Sequence, residues 1–455
     1  MKRSSAPTRT SFWRQTALRG GQIAFLIAVV LGLGIWAWLR WRAAPVFFDR
    51  QSRLPQHKRI QVYFNQNPLA EYEDPYRGHR RPGDNLEQIL IEQIRSAREQ
   101  VDVAVQELRS PLIAEALREQ HQAGVRVRVI LENTYSRAWS DYSQAEVAAL
   151  EERLRSRYWE NFRLIDQNQD ESISPEEAAR YDAVKVLKSG RVKWIDDTED
   201  GSKGSGLVHH KFVIVDGHTV VTTSANFTMS DLHGDLDSSS SQGNANSLVV
   251  FKSADIARAF RQEFALLWGD GPGGQPDSQF GVNKPHRPAQ EFTVGDAQVW
   301  VKFSPDSASI PWKGSSNGFI SRRLQASKKQ ISLALFVFSE QQLVDQMAIA
   351  HQNGVKVRAL IDRSFAYRPF SEGLDMLGAA LPQDRDDASS CKTEANNRIW
   401  ATPIQTVGTP KLAKGDLLHH KFGVIDESTV VMGSHNWSVA ANRLNDETLI
   451  AIAHP

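Results

Sequence analysis

Along residues 206–217 the chain reads GLVHHKFVIVDG, an apolar run headed by two histidines and a lysine. Side chains alternate faces along a strand, so a strand here sets His209, Lys211 and Val213 on one side and His210, Phe212 and Ile214 on the other. Elsewhere the pattern is a helix that ends at a glycine and gives way to an apolar strand, in HQAGVRVRVILEN at 121–133 and again in HQNGVKVRALIDR at 351–363. Upstream of these, IRSAREQVDVAVQEL and LQASKKQISLALFVFS share a grammar of helix, short turn and strand. Downstream, GLVHHKFVIVDGHTVVTTSAN is echoed by DLLHHKFGVIDESTVVMGSHN. Four segments recurring in one order make an internal duplication, and the alternation of helices and strands predicts an α/β fold of two similar halves.

The departures from this repeat define the remaining organisation. Residues 21–39, GQIAFLIAVVLGLGIWAWL, carry no formal charge and match the ~30 Å hydrocarbon core as a helix. Basic residues flank the stretch, more of them before it than after, which predicts an uncleaved anchor with the rest of the chain on the non-cytoplasmic side; a cleaved signal peptide is the competing reading. The first half carries about twenty more residues between its repeated segments than the second. Within that excess, DQNQDESISPEE aligns with a calcium loop through Asp166, Asn168, Asp170, Ser172, Ser174 and Glu177. Glu171 stands where the loop needs glycine and flanking helices are not obvious, so a solvated acidic turn, with Ser174 as helix cap and Pro175 at the first helical position, is an equal alternative. Residues 268–290 are dense in glycine and proline and read as a linker, and SDLHGDLDSSSSQGN, after TSAN, reads as a flexible loop. The domains expected are 1–45 as basic stub and anchor, 46–275 as the first half with an EF-hand-like insertion at about 160–185, and 276–455 as the second half.

Composition narrows this only a little. With 54 Lys+Arg against 53 Asp+Glu the formal charge is +1, which gives no overall pull toward nucleic acid or anionic membrane, although Arg77, Arg80, Arg81, Arg126 and Arg128 could line a local groove. The single cysteine, Cys391, excludes an intrachain disulfide and lacks the companions of a zinc site.

Each half contains His-x-Lys, four residues, then Asp: His209, Lys211, Asp216 and His419, Lys421, Asp426. Seven residues beyond each aspartate begins a small-residue turn, TSAN at 223–226 and GSHN at 433–436. Here the chain resembles the phospholipase D superfamily, whose signature is HxKxxxxD followed by GSxN, present twice. The resemblance implies a duplicated αβαβα sandwich with two pseudo-twofold-related halves, one shared active site, and phosphodiester cleavage through a phosphohistidine without a catalytic metal. Elementary chemistry agrees. Charge that builds on phosphate oxygens needs fixed donors, a role that Lys211, Lys421, Ser224, Asn226, Ser434 and Asn436 fit by motif position. One imidazole must be neutral to attack phosphorus and the other protonated to release the leaving oxygen.

Family members carry, beyond the GSxN turn, a carboxylate or amide that hydrogen-bonds the motif histidine. Asn246 holds that place in the first half and Glu447 in the second. Paired within each half, the acidic partner would favour imidazolium at His419, which predicts His209 as nucleophile and His419 as general acid. Asp216 and Asp426 complete the catalytic signature as scaffold, and His210 and His420, on the opposite face, are structural. The second half also stops without a counterpart to the helix SADIARAFRQEFALLW, which predicts a less well covered edge. The function expected is a metal-independent phospholipase D-like hydrolase acting on phospholipid at a membrane surface, with no cofactor beyond a structural calcium ion. A tethered endonuclease acting on DNA, a phosphatidyl transferase and a calcium-binding scaffold are the alternatives. No protein partner is inferred.

Overall fold

The structure, a computed structural model, describes residues 56–201, 204–382, 391–392 and 397–454. In the seven-stranded sheet of the first half the spatial order is Ile60–Phe64, Ser247–Lys252, Thr219–Thr223, Lys211–Val215, Gln100–Val105, Arg126–Leu131 and Lys193–Asp196. The eight-stranded sheet of the second half runs Gln290–Val294, Ala297–Ser304, Glu447–Ala453, Thr429–Gly433, Lys421–Ile425, Gln330–Leu335, Lys356–Ile361 and Val407–Gly408. Apart from the added edge strand Gln290–Val294 the two orders correspond strand for strand. The motif strands, Lys211–Val215 and Lys421–Ile425, sit near the middle of each sheet, antiparallel to both neighbours.

All five residues of Lys211–Val215 are buried. Both faces of a central strand are covered here, which is why it reads as an unbroken apolar run instead of an alternating one. One face of the first sheet packs under the helices Leu86–Arg95, Pro111–Gln122 and Ala183–Ser189, and one face of the second under Ser316–Gln325 and Gln341–Gln352. The other two faces share a single core around the helix Ala254–Trp268, whose Phe260 meets Phe212 and Phe303, one from each sheet, edge-on at 5.1 Å. The layers are therefore αβαβα. Among the described residues the edge expected to be less well covered is covered, because this one helix serves both sheets and the strand Gln290–Val294 pairs with Ala297–Ser304.

The described residues form one compact unit. The glycine- and proline-rich stretch between the halves is packed into it: Phe280 is buried, and Lys284 Nζ lies 2.5 Å from both Glu263 and Asp446. The polar segment after TSAN is likewise no free loop. In its helix Met229–Leu232 the residues Met229, Asp231 and Leu232 are buried, as is His233, and Arg77 donates to the carbonyls of His233, Asp235, Ser238 and Ser241. Arg81 adds bonds to the carbonyls of His233 and Gln242. A polar sequence without hydrophobic period looks flexible, but backbone carbonyls held by buried guanidinium groups give it a fixed course.

Flanking helices do enclose the acidic insertion, Glu152–Ile165 before it and Pro175–Tyr181 after it, the latter opened by a Ser174–Glu177 capping box. Asp166 accepts the N–H groups of Asp170 and Glu171, and Glu177 accepts those of Gln167, Asn168 and Ser174. Among the described residues no three His, Cys, Asp or Glu side chains gather as a metal site. As placed, the carboxylates of this loop hold its own backbone, and Glu171, where the loop reading needs glycine, takes a left-handed turn at φ 63°. No helix among the described residues is long and apolar enough to cross a membrane, and the apolar stretch 21–39 lies outside them.

Candidate active site

The segment entering each motif strand runs beside the other half. Val208 bridges Asp446 in parallel, with His209 N–H donating to Asp446 O at 2.9 Å and Asp446 N–H to Leu207 O at 3.0 Å. The pseudo-symmetric bridge joins Ala245 to Leu418, with His419 N–H donating to Ala245 O at 3.0 Å. The residue after Asp446 is Glu447 and the residue after Ala245 is Asn246, so the crossing hands each to the opposite histidine. His209 Nδ1 stands 2.7 Å from Glu447 Oε2, and His419 Nδ1 stands 3.0 Å from Asn246 Oδ1. Pairing within each half, the expectation from sequence, is thereby corrected: the first-half histidine has the carboxylate and the second-half histidine the amide.

The motif serines orient these partners. Ser434 Oγ donates to Glu447 Oε2 at 2.6 Å and Ser224 Oγ to Asn246 Oδ1 at 2.7 Å, so neither hydroxyl is turned to a phosphate. Lys211 Nζ donates to His209 O at 2.9 Å and to Gln106 Oε1 at 3.3 Å. Lys421 Nζ donates to His419 O at 2.7 Å and lies 4.8 Å from the centre of the Phe336 ring. Burial pushes Lys211 down to about 8, against the pull of Glu447, Asp231 and Glu107. Burial, with Lys211 beside it, pushes Lys421 well below its ordinary value. The same burial, reinforced by the two lysines, holds His209 and His419 well below the usual imidazole range, while burial raises Glu447. Asn226 and Asn436 each bury a side-chain oxygen that has no partner in the structure.

Asp231, in the segment read from sequence as a flexible loop, belongs to this cluster. It is buried, and its Oδ1 lies 3.6 Å from His419 Nδ1. Only the position of Asp231 five residues beyond the motif Asn226 could have pointed to it, and the polar composition around it masked that signal.

The remaining residues singled out from sequence have other partners. Asp216 and Asp426 lie at the far ends of the motif strands. Each accepts three consecutive backbone N–H groups, of Arg98, Glu99 and Gln100 or of Lys328, Lys329 and Gln330. Both hold the turn that opens the adjacent strand and make no hydrogen bond to a motif histidine or lysine. His210 is fully enclosed between Thr448 Oγ1 at 2.9 Å and Glu263 Oε1 at 3.0 Å. His420 packs edge-on against Phe64 and Phe422 with its Nδ1 unpartnered. The arginines considered for a groove are engaged as well: Arg77 and Arg81 in the polar segment, Arg80 beside Glu71, Arg126 on Gln100, and Arg128 on Asp102 and over the Phe264 and Trp268 rings.

The chain matches the family described as "Cardiolipin synthase, PLD-like domain" over residues 90–268 and 320–455, both halves and well over half its length. Mouse mitochondrial cardiolipin hydrolase is 29% identical over 142 residues, 31% of this chain and 52% of that protein. Phospholipase D of Rickettsia typhi is 29% identical over 134 residues, 30% of this chain and 53% of that protein. The chain thus spans about half the length of each of these relatives. Among solved structures, phosphatidylserine synthase of Haemophilus influenzae is 12% identical with a TM-score of 0.47, over 87% of this chain and 82% of that one. The phospholipase D family member Nuc of Salmonella typhimurium is 17% identical with a TM-score of 0.26, over 47% of this chain and 95% of that one.

Proposed function

Since this chain belongs to the phospholipase D superfamily, in its cardiolipin synthase PLD-like family, we propose that it hydrolyses phospholipid phosphodiesters through a covalent phosphohistidine, with His209 as nucleophile and His419 as general acid. The observation that carries this reading is the crossed pair of histidines, each fixed through Nδ1 by the opposite half, above two buried lysines. A carboxylate on Nδ1 of His209 fixes the tautomer that leaves the Nε2 lone pair free, and it stabilises the cation formed when phosphorus is bound. The sequence-based reason for choosing His209, an amide partner, does not apply; this triad-like arrangement replaces it.

In the first step His209 Nε2 bonds to phosphorus as the ester P–O bond breaks, and His419 gives its proton to the departing alkoxide. In the second, His419 takes a proton from water, the hydroxide oxygen bonds to phosphorus, and the P–N bond breaks to free His209. Lys211 and Lys421, with the N–H groups of the Asn226 and Asn436 amides, would supply the donors to the phosphate oxygens, so that on this reading fixed side chains meet the charge of the transition state without a metal. The family description and the names of the relatives support a lipid substrate. The apolar stretch 21–39 would hold the site at a membrane surface on the non-cytoplasmic side.

The test sets vesicles of phosphatidylcholine, vesicles containing cardiolipin, and single-stranded DNA side by side, with His209→Ala as control and a chelator in a parallel series. Head-group or phosphatidic acid release that survives the chelator and vanishes in His209→Ala is expected. DNA cleavage without lipid turnover would overturn the substrate, and phosphatidyl transfer to added glycerol in preference to water would make the enzyme a transferase, the reading that the word synthase in the family description points to.

A further inference from the structure

We propose that Asp231 is a positioning residue for the His419 imidazolium, supplying the negative charge that Asn246 lacks at the place where the other half carries Glu447. The inference rests on the phosphodiesterase reading above. The two halves make the case by their difference. Ser438 caps the short helix Val439–Arg443 through the N–H of Ala441, and Thr228 caps Met229–Leu232 through the N–H of Asp231, so Asp231 and Ala441 occupy matching positions. The second half therefore offers its carboxylate to His209 from residue 447 and has alanine at 441. The first half has an amide at 246 and its carboxylate at 231. Each histidine receives one acidic group from the opposite half, by a different route.

The carboxylate is held in place from several sides. Its Oδ2 accepts Asn226 N–H at 2.7 Å, and its Oδ1 accepts Asn244 Nδ2 at 2.6 Å and Asn246 Nδ2 at 3.4 Å. Asn65 Nδ2 donates to its backbone carbonyl at 3.2 Å, and Arg157, from the inserted helix Glu152–Ile165, donates to neighbouring Ser230 Oγ at 2.7 Å. A buried carboxylate requires a counter-charge, and His419 is the ion-pair partner found for Asp231 among the described residues. Although burial works against ionisation, His419, the Asn244 amide and Arg157 hold Asp231 down at about 2, so it stays charged. Lys421, Lys211 and His209 also face His419 and oppose its protonation, which leaves Asp231 as the group that favours it.

A proton donor matters when the leaving group is a strong base and little when it is a stable anion. Wild type and Asp231→Asn are compared by kcat/KM, which reports the first chemical step, on phosphatidylcholine vesicles and on bis(p-nitrophenyl) phosphate. Asp231→Asn is expected to lose about 100-fold more on the choline lipid than on the aryl diester. The alkaline limb of its lipid profile should move to lower pH, because His419 must be protonated and loses the charge that keeps it so. Asn246→Asp in the Asp231→Asn background should restore most of the lipid activity. Equal losses on both substrates with an unmoved limb, or no loss on either, would overturn the inference. Silence of the wild-type chain on both diesters overturns the phosphodiesterase reading and takes the inference with it.

Discussion

The two halves share a strand order and a signature, yet their histidines live in different company. His209 has a carboxylate at 2.7 Å, and its lysine has the Gln106 amide beside it; His419 has an amide at 3.0 Å, and its lysine lies over the Phe336 ring. Gln106 and Phe336 are equivalent, since the N–H of each donates to the carbonyl of the second motif histidine, His210 or His420. Duplication supplies two equal imidazoles, but displacement at phosphorus needs one base and one acid at the same moment. On the proposed mechanism, the few side chains that touch the imidazoles, and not the shared scaffold, make one histidine the base and the other the acid.

Removing the carboxylate of His209 should break this asymmetry with the largest effect. Glu447→Gln keeps the shape and the bond from Ser434 but presents an amide to Nδ1, making the first-half histidine resemble the second. A loss in kcat on the order of 10³- to 10⁴-fold is expected, the scale seen when a triad carboxylate becomes an amide. Measured with both the choline lipid and the aryl diester, the loss should be equal, because the nucleophile serves both. A loss confined to the lipid would move Glu447 to the acid side and exchange the roles of the histidines.

A second contrast concerns the neighbouring histidines. His210 bonds Thr448 and Glu263, and Glu263 also holds Lys284 and Arg287 in a buried network that reaches Asp446 beneath His209. His420 has an unpartnered Nδ1 and aromatic neighbours, and burial pushes it down to about 3, so it is neutral. His210→Phe strips a bond from a buried charge network and should cost about 2–3 kcal/mol in denaturant unfolding. His420→Phe places a third phenylalanine beside Phe64 and Phe422 and should stay within about 1 kcal/mol of wild type. Equal costs would show that the two positions differ in nothing but their neighbours' names.

Much of this was legible in the sequence because duplication turns weak local signals into a matched pair. The motif strands, the Ser174 cap and the outward placing of His210 and His420 follow from pattern, and the meeting of the halves around one site follows from the resemblance to the phospholipase D superfamily. Which partner serves which histidine was not legible, since chain order places Glu447 nearer His419 and only the bridges Val208–Asp446 and Ala245–Leu418 bring it to His209. Asp231 was hidden for a related reason. Its segment has no hydrophobic period, and the order it gains comes from Arg77 and Arg81, some 150 residues earlier in the chain, gripping its carbonyls.

The smallest effects should come where the halves remain alike. Asp216 and Asp426 sit in left-handed turns at φ 49° and 53°, and each collects three N–H groups from the turn that starts the adjacent strand. Burial works against their ionisation, but the three amides win, so both carboxyls titrate below the ordinary range. A lowered value means that the ionised form is the one that stabilises the fold. Its contribution is complete above about pH 4 and is lost as the pH falls through the lowered value. Asp216→Asn and Asp426→Asn should each cost about 1–2 kcal/mol at neutral pH, by equal amounts, and the gap from wild type should close in strong acid. Because both lie at the far ends of the motif strands, kcat on either diester should be unchanged at temperatures where the variants stay folded. A fall in kcat for one aspartate and not the other would show that the asymmetry of the histidines extends into the scaffold, and that the two halves differ in more than the side chains around the imidazoles.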